Sequence, residues 1–298
     1  MKFGVHLPQA GRRATGKGIL AAAQQAESLG FHSVWLFDHL FTPEQHTGRY
    51  PGTPDGIYRF PLDAPYLECT TVLGALAATT ERVIFGTRVL LPVLRNPAIL
   101  GKQLAATDEI AGGRLMLGMG SGWMPEEYAA AGVPFDGRGK RLDEHVTLMR
   151  AIWAGKGEAF DGEYYAHVAG SFLPAAPRGT IPVLFGGASK AALRRVARLG
   201  DGWAVTTPPV EPRGDDPADT VLPMIRDLLD TLRRECDAVG RDFDELTLLG
   251  EAPLDATPRH LDGLAELGIH HCDLMSMSRP ARLAELVDDF AHRIGTEI

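Results

Sequence analysis

Residues 82–124 read RVIFGTRVLLPVLRNPAILGKQLAATDEIAGGRLMLGMGSGWM. Val83, Ile84 and Phe85 are strand formers. Gly86-Thr87-Arg88 is expected to interrupt them before Val89-Leu90-Leu91. Asn96-Pro97 is a helix opening, a capping side chain followed by proline at the first helical position. The helix runs on through Ile99, Leu100, Leu104 and Ala105 until Gly112-Gly113 stops it. Leu115-Met116-Leu117 is a second buried strand, running out into Gly118-Met119-Gly120-Ser121-Gly122-Trp123. Two parallel strands joined by a helix, each ending in a loop that bares its backbone, make the unit of a barrel whose sites lie at strand C-termini.

Outward from this unit the same alternation repeats. Residues 2–7 form a first strand, 17–29 an Ala-rich helix stopped by Gly30, and 33–37 a second strand ending in Asp38-His39. Residues 41–64 hold four prolines and no sustained period, which makes them a long covering loop. A helix is expected from Pro65 to Ala78, another over 136–154, and an irregular insert over 155–180 with a hairpin near Phe160–Tyr165. Strands follow at 181–185, 202–205, 246–249 and 271–274, with helices at 189–199, 217–238, 257–267 and 280–293 between and after them. About eight strand–helix units in strict alternation predict an α/β fold, a (β/α)8 TIM barrel with insertions after strands two and four, in one domain over 1–298. A doubly wound open sheet is the rival architecture.

The bulk numbers narrow the function. The 298 residues are 45% hydrophobic and 23% charged, an ordinary globular balance. A net charge of −8 offers no broad basic field for nucleic acid. No apolar run reaches the roughly 18–20 residues of a membrane span, and the N-terminus reads as a strand rather than a signal peptide. Three dispersed cysteines, Cys69, Cys236 and Cys272, suit a reducing cytoplasm and suggest neither a disulfide frame nor a zinc site. His270-His271 lacks a matching ligand set, so no metal is expected.

The strand ends gather the candidates for chemistry. A free histidine side chain titrates near neutrality, which makes His39 the candidate acid or base. Asp38 beside it is a candidate to orient the ring, although neighbours on a strand point apart. An N-capping aspartate next to a packed histidine is the plainer alternative. Gly186-Gly187-Ala188-Ser189 opens a helix, where bare N–H groups make an anion cradle. A simple tight turn fits those four residues equally well. Ser121-Gly122 offers a second set of donors, and Trp123 a flat wall for a planar cofactor.

These pieces together resemble the bacterial luciferase-like family, and within it the branch using the deazaflavin coenzyme F420. The likeness is carried by FGVHLPQAG at 3–11, LGFHSVWLFDHL at 29–40, the run 78–123, RGKRLDEHVTLMRAIW at 138–153 and IPVLFGGASKAALRRVARLGDGW at 181–203. The resemblance implies an oxidoreductase that passes a hydride between F420 and a small organic substrate, as a reductase or an alcohol dehydrogenase. It implies His39 beside the reactive ring, with Thr87-Arg88-Val89 behind it and a non-proline cis peptide at Arg88–Val89. It implies phosphate-binding loops at Ser121-Gly122 and at Gly186-Gly187-Ala188-Ser189. Sugar-phosphate dehydrogenases of the branch carry a glutamate where this chain has Trp123, which tells against that substrate. The alternative it implies is a monooxygenase using reduced FMN and oxygen, served by a separate flavin reductase. A homodimer packing early helices, with 65–78 as a candidate, is the family's expectation.

Overall fold

The computed structural model describes residues 1–155, 157–209, 216, 218–253, 256–274 and 285. Its strands are β1 (Lys2–His6), β2 (Ser33–Leu36), β3 (Ile84–Leu90), β4 (Leu115–Met119), β5 (Phe160–Asp161), β6 (Ala166–His167), β7 (Val183–Gly186), β8 (Gly202–Ala204), β9 (Thr247–Ala252) and β10 (His271–Leu274). The helices are α1 (Gly16–Ser28), α2 (Cys69–Thr79), α3 (Pro97–Ile110), α4 (Pro125–Ala130), α5 (Arg138–Trp153), α6 (Lys190–Leu199), α7 (Ala218–Asp237) and α8 (Pro258–Glu266). Eight parallel strands close in the order β1-β10-β9-β8-β7-β4-β3-β2, so the barrel expected from the alternation is present and the open sheet is excluded. β5 and β6 form the separate hairpin of the insert. The closing helix expected over 280–293 lies outside the described residues, apart from position 285.

Alternation along each strand divides the side chains into two layers. Phe3, Val5, Val34, Phe85, Leu117, Phe185 and Trp203 face outward into the helix-packed core. Trp35, Leu184, Ala204 and Leu249, with Met116 against them, fill the inside of the barrel. Trp35 is large for that space, and glycines make room: a Cβ on Gly4 would lie 2.5 Å from its indole nitrogen, and one on Gly86 3.0 Å from its ring. The indole donates to Ser33 Oγ at 2.9 Å, which meets His271 Nε2 at 2.7 Å, so the polar atoms of this layer are paired.

Three boundaries differ from the sequence expectation, each for a local reason. Helix α2 starts at Cys69 rather than Pro65, because residues 65–67 are drawn into pairing with the segment after β1. Gly11 N–H donates to Pro65 O, Leu67 N–H to Gln9 O, and the Gln9 amide back to Leu67 O. Glu68 then caps the helix through Thr71 N–H. Strand β3 is not interrupted at Gly86-Thr87-Arg88; it runs on to Leu90, with a register shift against β4 between Thr87 and Leu90. A short helix, α4, follows the Gly-rich loop after β4 and was not expected.

Candidate active site

The chain leaves β2 at Leu36 and places Asp38 and His39 on the barrel mouth. They turn to opposite partners. Asp38 receives Arg95 in a two-pronged bond, Nη1 to Oδ2 at 2.7 Å and Nη2 to Oδ1 at 2.8 Å, and also accepts Leu91 N–H at 2.9 Å. Arg95 reaches on to Glu68 at 2.7 Å. Burial acts to raise the Glu68 carboxyl, but hydrogen bonds from Arg95 and Thr71 outweigh it and hold the group down to about 2. Asp38 therefore fastens the β2 loop to the segment after β3, and orienting His39 falls to another residue.

That residue is Glu127, on the first turn of α4. Its Oε1 lies 3.1 Å from His39 Nδ1 and accepts Leu40 N–H at 2.6 Å. Glu127 is 1% exposed. A carboxylate only accepts, so the Nδ1 position carries the proton and Nε2 is the nitrogen left for chemistry. Sequence reading missed Glu127 because α4 was missed. The signal was there: Pro125 at the helix start, followed by Glu126 and Glu127 in the first turn.

Around His39 stand aromatic rings. Tyr58, from the 41–64 loop, lies 5.1 Å away centroid to centroid, Tyr66 sits edge-on at 5.7 Å and Trp123 edge-on at 6.1 Å. Tyr50 and His46 of the same loop each lie 5.2 Å from Trp123. Burial pushes all three phenols up, aided by Glu251 at Tyr50, by Tyr50 at Tyr58 and by Tyr58 at Tyr66, so they stay protonated donors. The long loop is thus folded down over the strand-two and strand-four loops.

The peptide Arg88–Val89 is cis and not followed by proline. Its two side chains part company. Arg88 is 8% exposed and crosses the barrel interior, donating to Leu249 O, Gly250 O, Val205 O and Glu251 Oε2 at 2.7–3.1 Å. Asp273 lies 3.7 Å from its Nε and 2.5 Å from His6 Nε2. Val89 instead stands half-buried at the mouth. A Cβ on Gly120 would come 2.8 Å from its Cγ2, and one on Gly186 2.9 Å from its Cγ1. Thr87 turns its hydroxyl to Gly118 O at 2.7 Å and is fully buried, so its side chain serves strand pairing rather than the mouth.

The two glycine-rich loops flank this valine. Gly122 and Gly187 both hold positive φ, +68° and +100°, a backbone conformation glycine adopts without strain, and Gly187 N–H donates to Thr206 Oγ1 at 3.3 Å. Tyr128 fixes the first loop by donating to Ser121 O at 2.5 Å. Ala188 is half-buried in the second loop, and Ser189 caps α6 through Ala192 N–H at 3.2 Å. The mouth thus brings together His39, Val89, Ser121, Gly122, Trp123 and the Gly186–Ser189 turn at the ends of β2, β3, β4 and β7, while Asp38, Thr87 and Arg88 point their side chains elsewhere.

Known proteins of similar sequence and fold place the chain in a family. An uncharacterised protein of Mycobacterium tuberculosis is 39% identical over 181 residues, 61% of this chain and 62% of that one, so the match spans less than two thirds of that relative. The F420-dependent glucose-6-phosphate dehydrogenase of Nakamurella multipartita is 33% identical over 235 residues, 77% of this chain and 60% of that one. Among solved structures, an F420-dependent secondary alcohol dehydrogenase in complex with an F420-acetone adduct superposes with a TM-score of 0.72, covering 98% of both chains at 19% identity, a likeness of fold. The model of the luciferase-like monooxygenase family matches residues 1–253, and the chain belongs to that family of enzymes.

Proposed function

We propose that this chain is an F420-dependent oxidoreductase acting on a small organic substrate. The observation that carries the reading is the His39–Glu127 pair at the barrel mouth, one strand away from the Arg88–Val89 bulge. The similarity to an F420-dependent dehydrogenase supports the choice of cofactor.

The residues present fit such a group. Val89 is an apolar backing set between two glycines that admit no Cβ without displacing it. Ser121-Gly122 and Ala188-Ser189 are the backbone donors proposed for a phosphate, the latter at the start of α6, while Gly187 N–H is taken by Thr206 Oγ1 at 3.3 Å. When bound, the deazaflavin supplies hydride transfer at its C5 carbon. His39 holds the exchangeable proton at Nε2, giving it to a carbonyl oxygen in reduction or taking it from an alcohol in the reverse direction. Glu127 fixes the ring and steadies its positive charge. The 41–64 loop keeps bulk water from the mouth.

The same reading has the enzyme in the reducing cytoplasm, with 1–298 as one domain and a homodimer built on α2. Among the described residues no helix is long and apolar enough to cross a membrane, and Cys69, Cys236 and Cys272 are free and buried. The family description favours one other reading, a monooxygenase, which would use reduced FMN and oxygen with a separate reductase. Separate fluorescence titrations with F420 and FMN decide between them. A tight complex with F420 alone supports the proposal; binding of FMN with oxygen consumption overturns it.

A further inference from the structure

We infer that Trp203 and Thr206 are positioning residues for the cofactor's phosphate, clamping the two peptide groups of Gly187 so that Ala188 N–H is turned towards it. The inference rests on the reading of Ala188-Ser189 as phosphate donors. It is the same whether a deazaflavin or a flavin brings the phosphate.

The turn after β7 is gripped at one residue from the neighbouring strand and the segment that follows it. Trp203 Nε1 donates to Gly187 O at 3.1 Å, and Gly187 N–H donates to Thr206 Oγ1 at 3.3 Å. Thr206 Oγ1 donates in turn to Ala204 O at 2.9 Å, which fixes its hydroxyl proton and leaves a lone pair for Gly187. Trp203 is fully buried, and its ring belongs to the helix-packed layer outside the barrel. The Gly187 carbonyl is therefore drawn towards that layer. A buried indole N–H without an acceptor is costly, so the bond holds its place.

Peptide geometry does the rest. Among the described residues the cis bonds are Arg88–Val89 and Leu173–Pro174, so Gly187–Ala188 is trans. In a planar trans peptide the C=O and N–H point in opposite directions. With Gly187 O turned to Trp203, Ala188 N–H faces out of the helix-packed layer. Among the described residues neither Ala188 N–H nor Ser189 N–H has an acceptor. The φ of +100° at Gly187 makes this arrangement open to glycine and costly for other residues.

The clamp also has a definite place relative to Val89. A Cβ on Gly186 would lie 2.9 Å from Val89 Cγ1 and 3.9 Å from Thr206 Oγ1. Gly186 thus sits between the proposed backing of the ring and the clamp, which begins one residue further on. Loss of the clamp is felt at the phosphate end.

The test uses the full chain as wild type, Trp203→Phe, Thr206→Val and Thr206→Ser. Each is titrated with F420 and with Fo, the phosphate-free deazaflavin that ends at the ribityl chain, and with FMN and riboflavin as a second pair. Binding is followed by polarisation of the ligand's own fluorescence. The wild type is expected to bind the phosphorylated member of a pair more tightly. Trp203→Phe and Thr206→Val should each weaken that member by about fivefold, the worth of one hydrogen bond, and leave the phosphate-free member unchanged. Thr206→Ser keeps the hydroxyl and should match the wild type. Whatever the tail of F420 adds is common to all four proteins, so the change in ratio reports the phosphate. Equal weakening of both members in Trp203→Phe and Thr206→Val would mean a packing role and overturns the inference. An unchanged ratio in those two variants overturns it as well. A wild type that shows no preference for the phosphorylated member overturns the phosphate seat itself, and is seen without any variant. Should Trp203→Phe fail to fold, the Thr206→Val and Thr206→Ser pair decides.

Discussion

Glu127, 88 residues along the chain from His39, is the carboxylate that meets the histidine ring, although Asp38 is its neighbour in sequence. One oxygen of Glu127 holds both the imidazole and the amide that follows it. The pair is therefore assembled by the barrel, from the segment after β2 and the short helix α4 after β4.

Deleting either member of such a pair removes most of what both supply. His39→Ala should lower turnover by roughly 10²–10⁴-fold. Glu127→Ala should lower it by roughly 10–100-fold, the value of a hydrogen bond to a charged group. The double variant should be little worse than His39→Ala alone, because the two act through one ring. Steady-state kinetics on the three variants check this, and strictly multiplicative losses would show that Glu127 acts independently of His39.

Asp38→Ala should behave as a stability mutation. It takes the buried carboxylate from Arg95, which is mostly buried and keeps only the more exposed Glu68, and leaves Leu91 N–H without its acceptor. A cost of about 3–5 kcal/mol is expected for breaking a buried pair from one side. Urea unfolding is the measurement. An unchanged midpoint with a collapse in turnover would return Asp38 to the chemistry.

Gly186→Ala should loosen the cofactor more than the fold. The added methyl pushes on Val89 Cγ1, a side chain able to shift, and overpacking of that kind costs about 1–3 kcal/mol. The displaced valine moves into the mouth, so F420 affinity should fall while the unfolding midpoint drops modestly. Gly118→Ala is the contrasting control, since its Cβ would meet the Thr87 carbonyl oxygen at 2.3 Å and damage the fold itself. Equal effects of the two on folding and binding would contradict Val89 as the backing residue.

Two buried histidines make the fold acid-sensitive. Burial pulls His145 down to about 4 and His271, with help from His32, Lys2 and Arg88, down to about 3. Both bind protons more readily in the unfolded chain, near 6.5, than in the folded one. Their stability contribution is complete above about pH 6.5 and falls as pH drops through about 4. His145 alone should account for about 3 kcal/mol across that window. His145→Gln retains a donor for Arg95 O without titrating, so its urea midpoint should change less between about pH 7 and about pH 4.5 than that of the wild type. An identical slope would place the acid sensitivity elsewhere.

Much of the frame is legible in local signals. Thr15, Asn96, Ser189 and Thr257 cap their helices as their residue types suggest, and the alternating apolar runs became barrel strands. The mouth was legible in part, since His39, Trp123 and the glycine turns stand at strand ends. What the sequence concealed depends on distance. Nothing local tells Glu127 that it will face His39, Tyr66 that residues 65–67 will pair with 9–11, or Arg88 that its guanidinium will find Val205 and β9. Helix α2 was placed four residues early for the same reason: a tertiary pairing outbid a helix start.

Arg88 belongs to the strand proposed to back the cofactor ring, yet its guanidinium is tied to carbonyls across the lumen, at Val205 just after β8 and at Leu249 and Gly250 on β9. That single side chain is a crossbeam, coupling the Arg88–Val89 bulge, the proposed seat of the cofactor, to the opposite rim. The covering loop has its own internal anchors, such as His46 between Tyr58 N–H and Gly48 O, and can be rewritten residue by residue, while any change to the crossbeam is felt on both walls at once. New substrates are therefore within reach of loop variation alone, with the redox seat left as it stands.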